Sequence, residues 1–150
     1  MFEVVYFSRT GNTKKVAEAI AAELKVTAKD VKTAGVLPHD AFIFLGTGCY
    51  GATLPKEIMK FMEKNKFRGR IIALFTTSGF GSVAERGLIE KQIIGKGAVI
   101  THNFKCFGHF LTTKKSHPTP EELQKAREFA RTVAIALFPQ RMEKLKAAKR

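Results

Sequence analysis

The sequence has no tryptophan, two tyrosines and two cysteines in its 150 residues. Two cysteines, Cys49 and Cys106, cannot build the disulfide framework of a small secreted domain, so a reducing, cytoplasmic setting is expected. No apolar run approaches the ~20 residues that a membrane-spanning helix needs, so no membrane insertion is expected. The chain opens at residue 2 on a strand pattern, and no signal peptide is read there. Acidic residues are scarce: 13 Asp and Glu stand against 26 Lys and Arg, a net charge of +13. Such an imbalance suits nucleic acid or an acidic membrane surface. Here the basic residues fall on predicted helix surfaces and at the C-terminus: six between Lys56 and Arg70, five from Arg141 onward. No nucleic-acid motif accompanies them, and the chain has no Trp and only two Tyr. The expectation is no nucleic acid and a negatively charged protein partner. There is no internal repeat and no low-complexity stretch. The length suits one domain, and a 45% hydrophobic content suffices for one sizeable core.

What the chain does have is alternation. Residues 2–7 read as a buried strand. Residues 12–24 read as a helix with Val16, Ala17, Ile20, Ala21 and Leu24 on one face and Lys14, Lys15, Glu18 and Glu23 opposite. Residues 26–32 form a weak, polar strand suited to a sheet edge. Phe42-Ile43-Phe44-Leu45 is a continuous apolar run of the kind found in central parallel strands. A helix starts near Pro55 with Ile58, Phe61 and Met62 facing inward. Residues 70–75 make the next strand, a helix follows to about Ile94 with Ile89, Ile93 and Ile94, and the last strand runs from Ala98 to about Cys106. Residues 107–118 read as a loop. The final helix has Thr119 as N-cap, Pro120 at its first position and Glu122 three residues after the cap. Pro139 ends or kinks it, which divides the chain into a domain over 1–138 and a basic extension over 139–150. Strictly alternating strands and helices imply right-handed crossovers and a parallel sheet covered on both faces. The fold class is α/β, a three-layer doubly wound sandwich on a five-stranded parallel sheet of order 2-1-3-4-5.

Three strands run into polar, glycine-containing segments: 8–13, 46–53 and 76–82. In this strand order the ligand site lies outside the carboxyl ends of the strands, at the switch between the first and third. Ser8-Arg9-Thr10-Gly11-Asn12-Thr13 joins the first strand to the first helix. Helix N-termini present N–H groups without intrahelical acceptors, and the helix dipole adds positive charge there, so an anion is stabilised. The hydroxyls of Ser8, Thr10 and Thr13 add donors. The loop lacks the Gly-x-x-x-x-Gly-Lys-Ser/Thr of nucleotide-triphosphate sites and the Gly-x-Gly-x-x-Gly of dinucleotide sites. It also lacks the acidic residues that hold magnesium in response-regulator receivers; Ser8 and Arg9 stand there instead.

The pattern Ser-x-Thr-Gly-x-Thr at this first junction resembles the phosphate loop of the flavodoxin family. Gly46-Thr47-Gly48-Cys49-Tyr50-Gly51, with Leu54-Pro55 after it, is similar to the family's second loop, although the family commonly has Pro where Gly48 stands. Thr77-Ser78-Gly79-Phe80-Gly81 is similar to the third loop. The last strand has no insertion, as in short-chain members. The resemblance implies FMN as cofactor, its phosphate on Ser8, Arg9, Thr10, Gly11, Asn12 and Thr13. Its ring would lie between Thr47, Gly48, Cys49, Tyr50 and Gly51 on one side and Thr77, Ser78, Gly79, Phe80 and Gly81 on the other. Tyr50 or Phe80 can stack on the ring; for Tyr50 the alternative is a loop anchor.

The resemblance also implies acidic residues around the flavin in low-potential members, and none of the three loops contains Asp or Glu. Arg9 and the positive field should therefore favour the anionic reduced flavin and make its potential less negative. Cys49 and Cys106 are read as small buried hydrophobes rather than redox or metal groups. His39, His102, His109 and His117 are scattered, without acidic or cysteine partners at metal-ligand spacing. No catalytic arrangement can be argued, and the expected function is a flavodoxin-like electron carrier moving single electrons between redox proteins with acidic docking surfaces, as a monomer or weak dimer. The alternatives are an FMN-dependent NAD(P)H or quinone oxidoreductase on the same fold, and a basic binding module without flavin.

Overall fold

In the computed structural model, residues 1–51, 53–78, 83–107 and 117–148 are described. The elements in chain order are β1 (Phe2–Phe7), α1 (Asn12–Leu24), β2 (Ala28–Asp30), β3 (Phe42–Gly48), α2 (Lys56–Lys64), β4 (Ile71–Ser78), α3 (Val83–Gly95), β5 (Val99–Phe107), α4 (Pro120–Leu137) and α5 (Pro139–Ala148). All strand pairs are parallel, and the sheet order is β2-β1-β3-β4-β5. This is the order expected from the sequence.

The sheet has two buried faces because successive strand residues alternate sides. Phe2, Val4, Tyr6, Phe42, Phe44, Ala73 and Phe75 pack against Val16, Ile20 and Leu24 of α1 and Ala126, Ala130 and Val133 of α4. Val5, Ile43, Leu45, Ile72 and Leu74 pack on the other side against Ile58, Phe61 and Met62 of α2 and Ile89 and Ile93 of α3. Ile94 is instead 54% exposed, because α3 turns only one stripe inward. At one end of the α1/α4 face, Phe2, Phe42 and Phe138 meet edge-to-face, in the geometry that aromatic pairs favour. The start of α4 is built as read: the Thr119 hydroxyl accepts the Glu122 N–H, and the Glu122 carboxylate reaches back to complete a capping box.

Three boundaries differ. β2 is shorter than 26–32, but the ladder continues by one bond, from the Val31 N–H to the Tyr6 carbonyl. Gly46-Thr47-Gly48 and Thr76-Thr77-Ser78, read as loop, are the last residues of β3 and β4. They pair in register, Thr47 with Thr76 and Gly48 with Thr77. Backbone bonding on both sides of a central strand holds it extended after its side chains stop being apolar. The connection 34–40 is a strap held by its neighbours: Asn65 Oδ1 accepts the Leu37 N–H at 2.7 Å, and Arg70 donates to the Pro38 carbonyl at 3.0 Å.

Candidate functional site

The carboxyl ends of β1, β3 and β4 lie side by side, because Phe7 pairs with Thr47 and Thr47 with Thr76. This register brings the first two segments and the Thr77 end of the third to one edge of the sheet. Ala52, Gly79, Phe80, Gly81, Ser82 and His109 lie outside the described residues.

The segment 8–13 folds as a cradle on the end of α1. Gly11 is the N-cap and adopts φ 90°, a left-handed conformation that costs glycine little. Unlike α4, α1 has no side-chain hydrogen bond at its cap. Its first intrahelical bond runs from the Lys15 N–H to the Gly11 carbonyl at 3.1 Å, so the N–H groups ahead of it face the cradle. Ser8 Oγ accepts the Gly11 N–H at 3.0 Å, and Asn12 donates from its amide to Thr10 Oγ1 at 3.0 Å. Thr13 is buried and its hydroxyl meets that of Thr77 at 2.8 Å, tying the start of α1 to the end of β4. Arg9 and Thr10 are exposed at the rim.

The second segment leans onto the first. Tyr50 Oη accepts the Arg9 N–H at 2.9 Å, and the Arg9 guanidinium lies over the Tyr50 ring, 4.1 Å from its centroid. This is cation–π distance. The Tyr50 ring is also edge-to-face with Phe7. Cys49 donates its N–H to the Thr77 carbonyl at 2.9 Å, extending the ladder by one bond beyond β3. Gly51 takes φ 79° and is exposed. Thr47 is fully buried and its hydroxyl donates to the Gly48 carbonyl at 3.0 Å, so it shapes the strand end from within. Ser78 ends β4, half-buried.

Both thiols are poorly ionised. Burial pushes Cys49 up to about 11, with the Glu85 carboxylate adding to the rise and Arg86 opposing it. Burial pushes Cys106 up to about 12, with Glu122 adding to it. Half-buried neutral thiols of this kind are inert packing groups. Glu85 was not anticipated. The three loops contain no carboxylate, but the first turn of α3 brings one within electrostatic range of Cys49. Its position on the helix that follows the third loop was the available signal. His117 is paired through Nδ1 with Glu122, the residue that closes the α4 capping box. Among the described residues, no group of three or more His, Cys, Asp or Glu is placed to hold a metal ion.

The donor set suits a phosphate: three hydroxyls, an amide, a guanidinium, an uncapped helix N-terminus under a left-handed glycine, and no carboxylate within the loop. Among the described residues, no helix is long and apolar enough to cross a membrane.

Comparisons with known proteins point the same way. A family profile described as the flavodoxin domain matches residues 3–115. A protein of Methanocaldococcus jannaschii is 29% identical over 135 residues, covering 81% of this chain and 89% of its own. A flavodoxin of Clostridium beijerinckii is 32% identical over 109 residues, 65% of this chain and 79% of its own. The solved structure of a flavodoxin from the domain Archaea superposes with a TM-score of 0.64 at 23% identity, over 89% of this chain and 95% of that one. With a 2-1-3-4-5 parallel sheet, a Ser-x-Thr-Gly-x-Thr cradle at its switch point and a profile match over most of its length, the chain belongs to the flavodoxin family.

Proposed function

We propose that the protein binds FMN at the carboxyl edge of its sheet and carries electrons singly between redox proteins. The observation that carries this reading is the cradle of residues 8–13: the uncapped N-terminus of α1, its hydroxyls, and the Thr13–Thr77 link that fixes it to the end of β4. Ser8, Thr10, Gly11, Asn12 and Thr13 would hold the phosphate, with Arg9 adding charge. Thr47, Gly48, Cys49, Tyr50 and Gly51 would border the ring on one side; Thr77, Ser78, Gly79, Phe80 and Gly81 would do so on the other. Bound flavin supplies the redox chemistry, and the chain supplies anchorage, exclusion of water and the local field.

That field is where this chain departs from an acidic carrier. Arg9 stands at the cradle, and Lys14, Lys15 and Lys56 are exposed on the first turns of α1 and α2, whose N-termini follow the first and second segments. Glu57 and Glu85 offset part of it. A partner with an acidic docking surface fits such an edge, and complementary charge would act mainly on the association rate. The test is an absorption spectrum of the purified protein followed by stepwise reduction. A flavin spectrum that takes up one electron at a time supports the carrier. Colourless protein that does not take up added FMN would overturn the cofactor, and NADPH–quinone turnover by the protein alone would overturn the carrier role.

A further inference from the structure

Tyr50 reaches the rim of the cradle from the neighbouring segment. Its phenol oxygen accepts the Arg9 N–H at 2.9 Å. The Arg9 guanidinium covers the ring face at 4.1 Å. A backbone donor and a cation are part of what this loop offers to a phosphate, and a side chain from the neighbouring segment engages both. The oxygen is a neutral phenol, since burial raises its pKa, so it can both accept and donate.

Gly48 gives an independent sign that this position is built in. A Cβ at residue 48 would lie 2.5 Å from both Cζ and Oη of Tyr50. Gly48 ends a regular strand and is not among the positive-φ glycines. Its backbone therefore does not call for glycine; the contact with the tyrosine does.

We infer that Tyr50 is an internal stand-in for the ligand's phosphate, holding the cradle until a phosphate displaces its hydroxyl. The affinity of the site is then set by a competition within one chain. Charge-assisted bonds to a phosphate are roughly twice as strong as the neutral bonds they replace, so the phosphate wins, but with part of its gain offset. The inference rests on the FMN reading for the natural ligand, while the competition itself is between a phenol and a phosphate.

The absence of tryptophan makes this measurable. Tyrosine emission reports only Tyr6, buried in β1, and Tyr50. Flavin-free full-length protein is titrated with inorganic phosphate, then with FMN. In the wild type, phosphate should change the tyrosine emission saturably, and in Tyr50→Phe that change should vanish. Tyr50→Phe keeps the ring but removes the competing oxygen, so calorimetry should show phosphate and FMN bound about three- to tenfold more tightly, the worth of roughly one net hydrogen bond. Gly48→Ala should tighten inorganic phosphate in the same way with the hydroxyl retained, because its methyl group pushes the ring out. Equal phosphate affinity in the wild type and both variants would overturn the proposal, as would phosphate binding that leaves the wild-type emission unchanged, or no phosphate binding at all. Phosphate competition without FMN binding would instead overturn the FMN reading and leave this one standing; FMN binding with no gain in Tyr50→Phe would do the reverse.

Discussion

Thr10 and Thr13 separate anchorage of a phosphate from general support of the loop. Thr10 is exposed, and its hydroxyl accepts a bond from the Asn12 amide. Thr13 is 1% exposed and shares a 2.8 Å hydrogen bond with Thr77, itself buried. A hydrogen bond to a charged group is worth about 1.5–3 kcal/mol, so each hydroxyl that holds a phosphate should be worth about ten- to a hundredfold in affinity. Thr10→Ala should therefore weaken FMN by at least about tenfold while moving stability by about 0.5 kcal/mol or less, as for surface changes in general. Thr13→Ala should do two things at once. It should weaken FMN, and it should leave the Thr77 hydroxyl buried without this partner, costing about 1–3 kcal/mol of stability. For a domain of this size that is a fall in melting temperature of about 2–4 °C per kcal/mol. Thr13→Ser keeps the hydroxyl and should restore most of both. The assay is quenching of flavin fluorescence by each flavin-free variant, run in parallel with FMN and riboflavin, with thermal melts alongside. Riboflavin lacks the phosphate, so its affinity should change little in Thr10→Ala. Equal loss for the two flavins would refute the phosphate assignment of residues 8–13.

Three further expectations follow from the same geometry. Arg9→Gln removes the cation beside the cradle and should make the potential of the reduced flavin more negative; an unchanged redox titration would show that Arg9 does not act on the ring. Gly46→Ala would place a Cβ 2.0 Å from the buried Phe75 ring, an overpacking worth about 1–3 kcal/mol; a melting temperature equal to the wild type would contradict it, and pairing it with Phe75→Leu should recover part of the loss. The thiols of Cys49 and Cys106 ionise in the folded chain only near 11 and 12, against an ordinary value of 9.0. Because folding raises these values, the thiols' contribution to stability is intact below pH 9 and is lost as pH rises toward 11–12. Alkylation at pH 8 should be slow in native protein and fast in denaturant, and rapid native labelling would refute the burial argument.

The fold was readable because its signals are local and repeated. The apolar runs at 4–7, 42–45 and 72–75 are buried on both faces, so each strand shows as unbroken hydrophobicity. The start of α4 was readable residue by residue, since Thr119, Pro120 and Glu122 have fixed offsets in a capping box. Strand ends were not readable. Thr47 and Thr76 are polar, and nothing local says that two neighbouring ladders keep them extended. At the site, Ser8 to Thr13 announced itself because strand, loop and helix are contiguous. The Thr13–Thr77 and Arg9–Tyr50 contacts join residues 64 and 41 positions apart. No periodicity encodes such pairs; only the strand order brings them together. Glu85 escaped for the same reason, since its carboxylate acts on Cys49 from another element.

The same strand that builds the core also makes room for the site, and it does so by tapering. Phe42, Phe44, Gly46 and Gly48 follow one another at every second position of β3, on the face that α1 and α4 cover. At the start of the strand, Phe42 and Phe44 pack edge-to-face with Phe2, and with Phe138 and Phe129 of the C-terminal helical region. Two residues further on, Gly46 leaves its space to the Phe75 ring of the next strand; two beyond that, Gly48 leaves its space to Tyr50. The two glycines are thus not flexible points but the thin end of a wedge. Each admits an aromatic ring from a neighbouring segment, the first to close the core and the second to reach the cradle. Filling the first position should unfold the domain more readily, whereas filling the second should displace only a side chain at the mouth of the site. Stability and ligand affinity therefore separate along one strand, between residues 46 and 48.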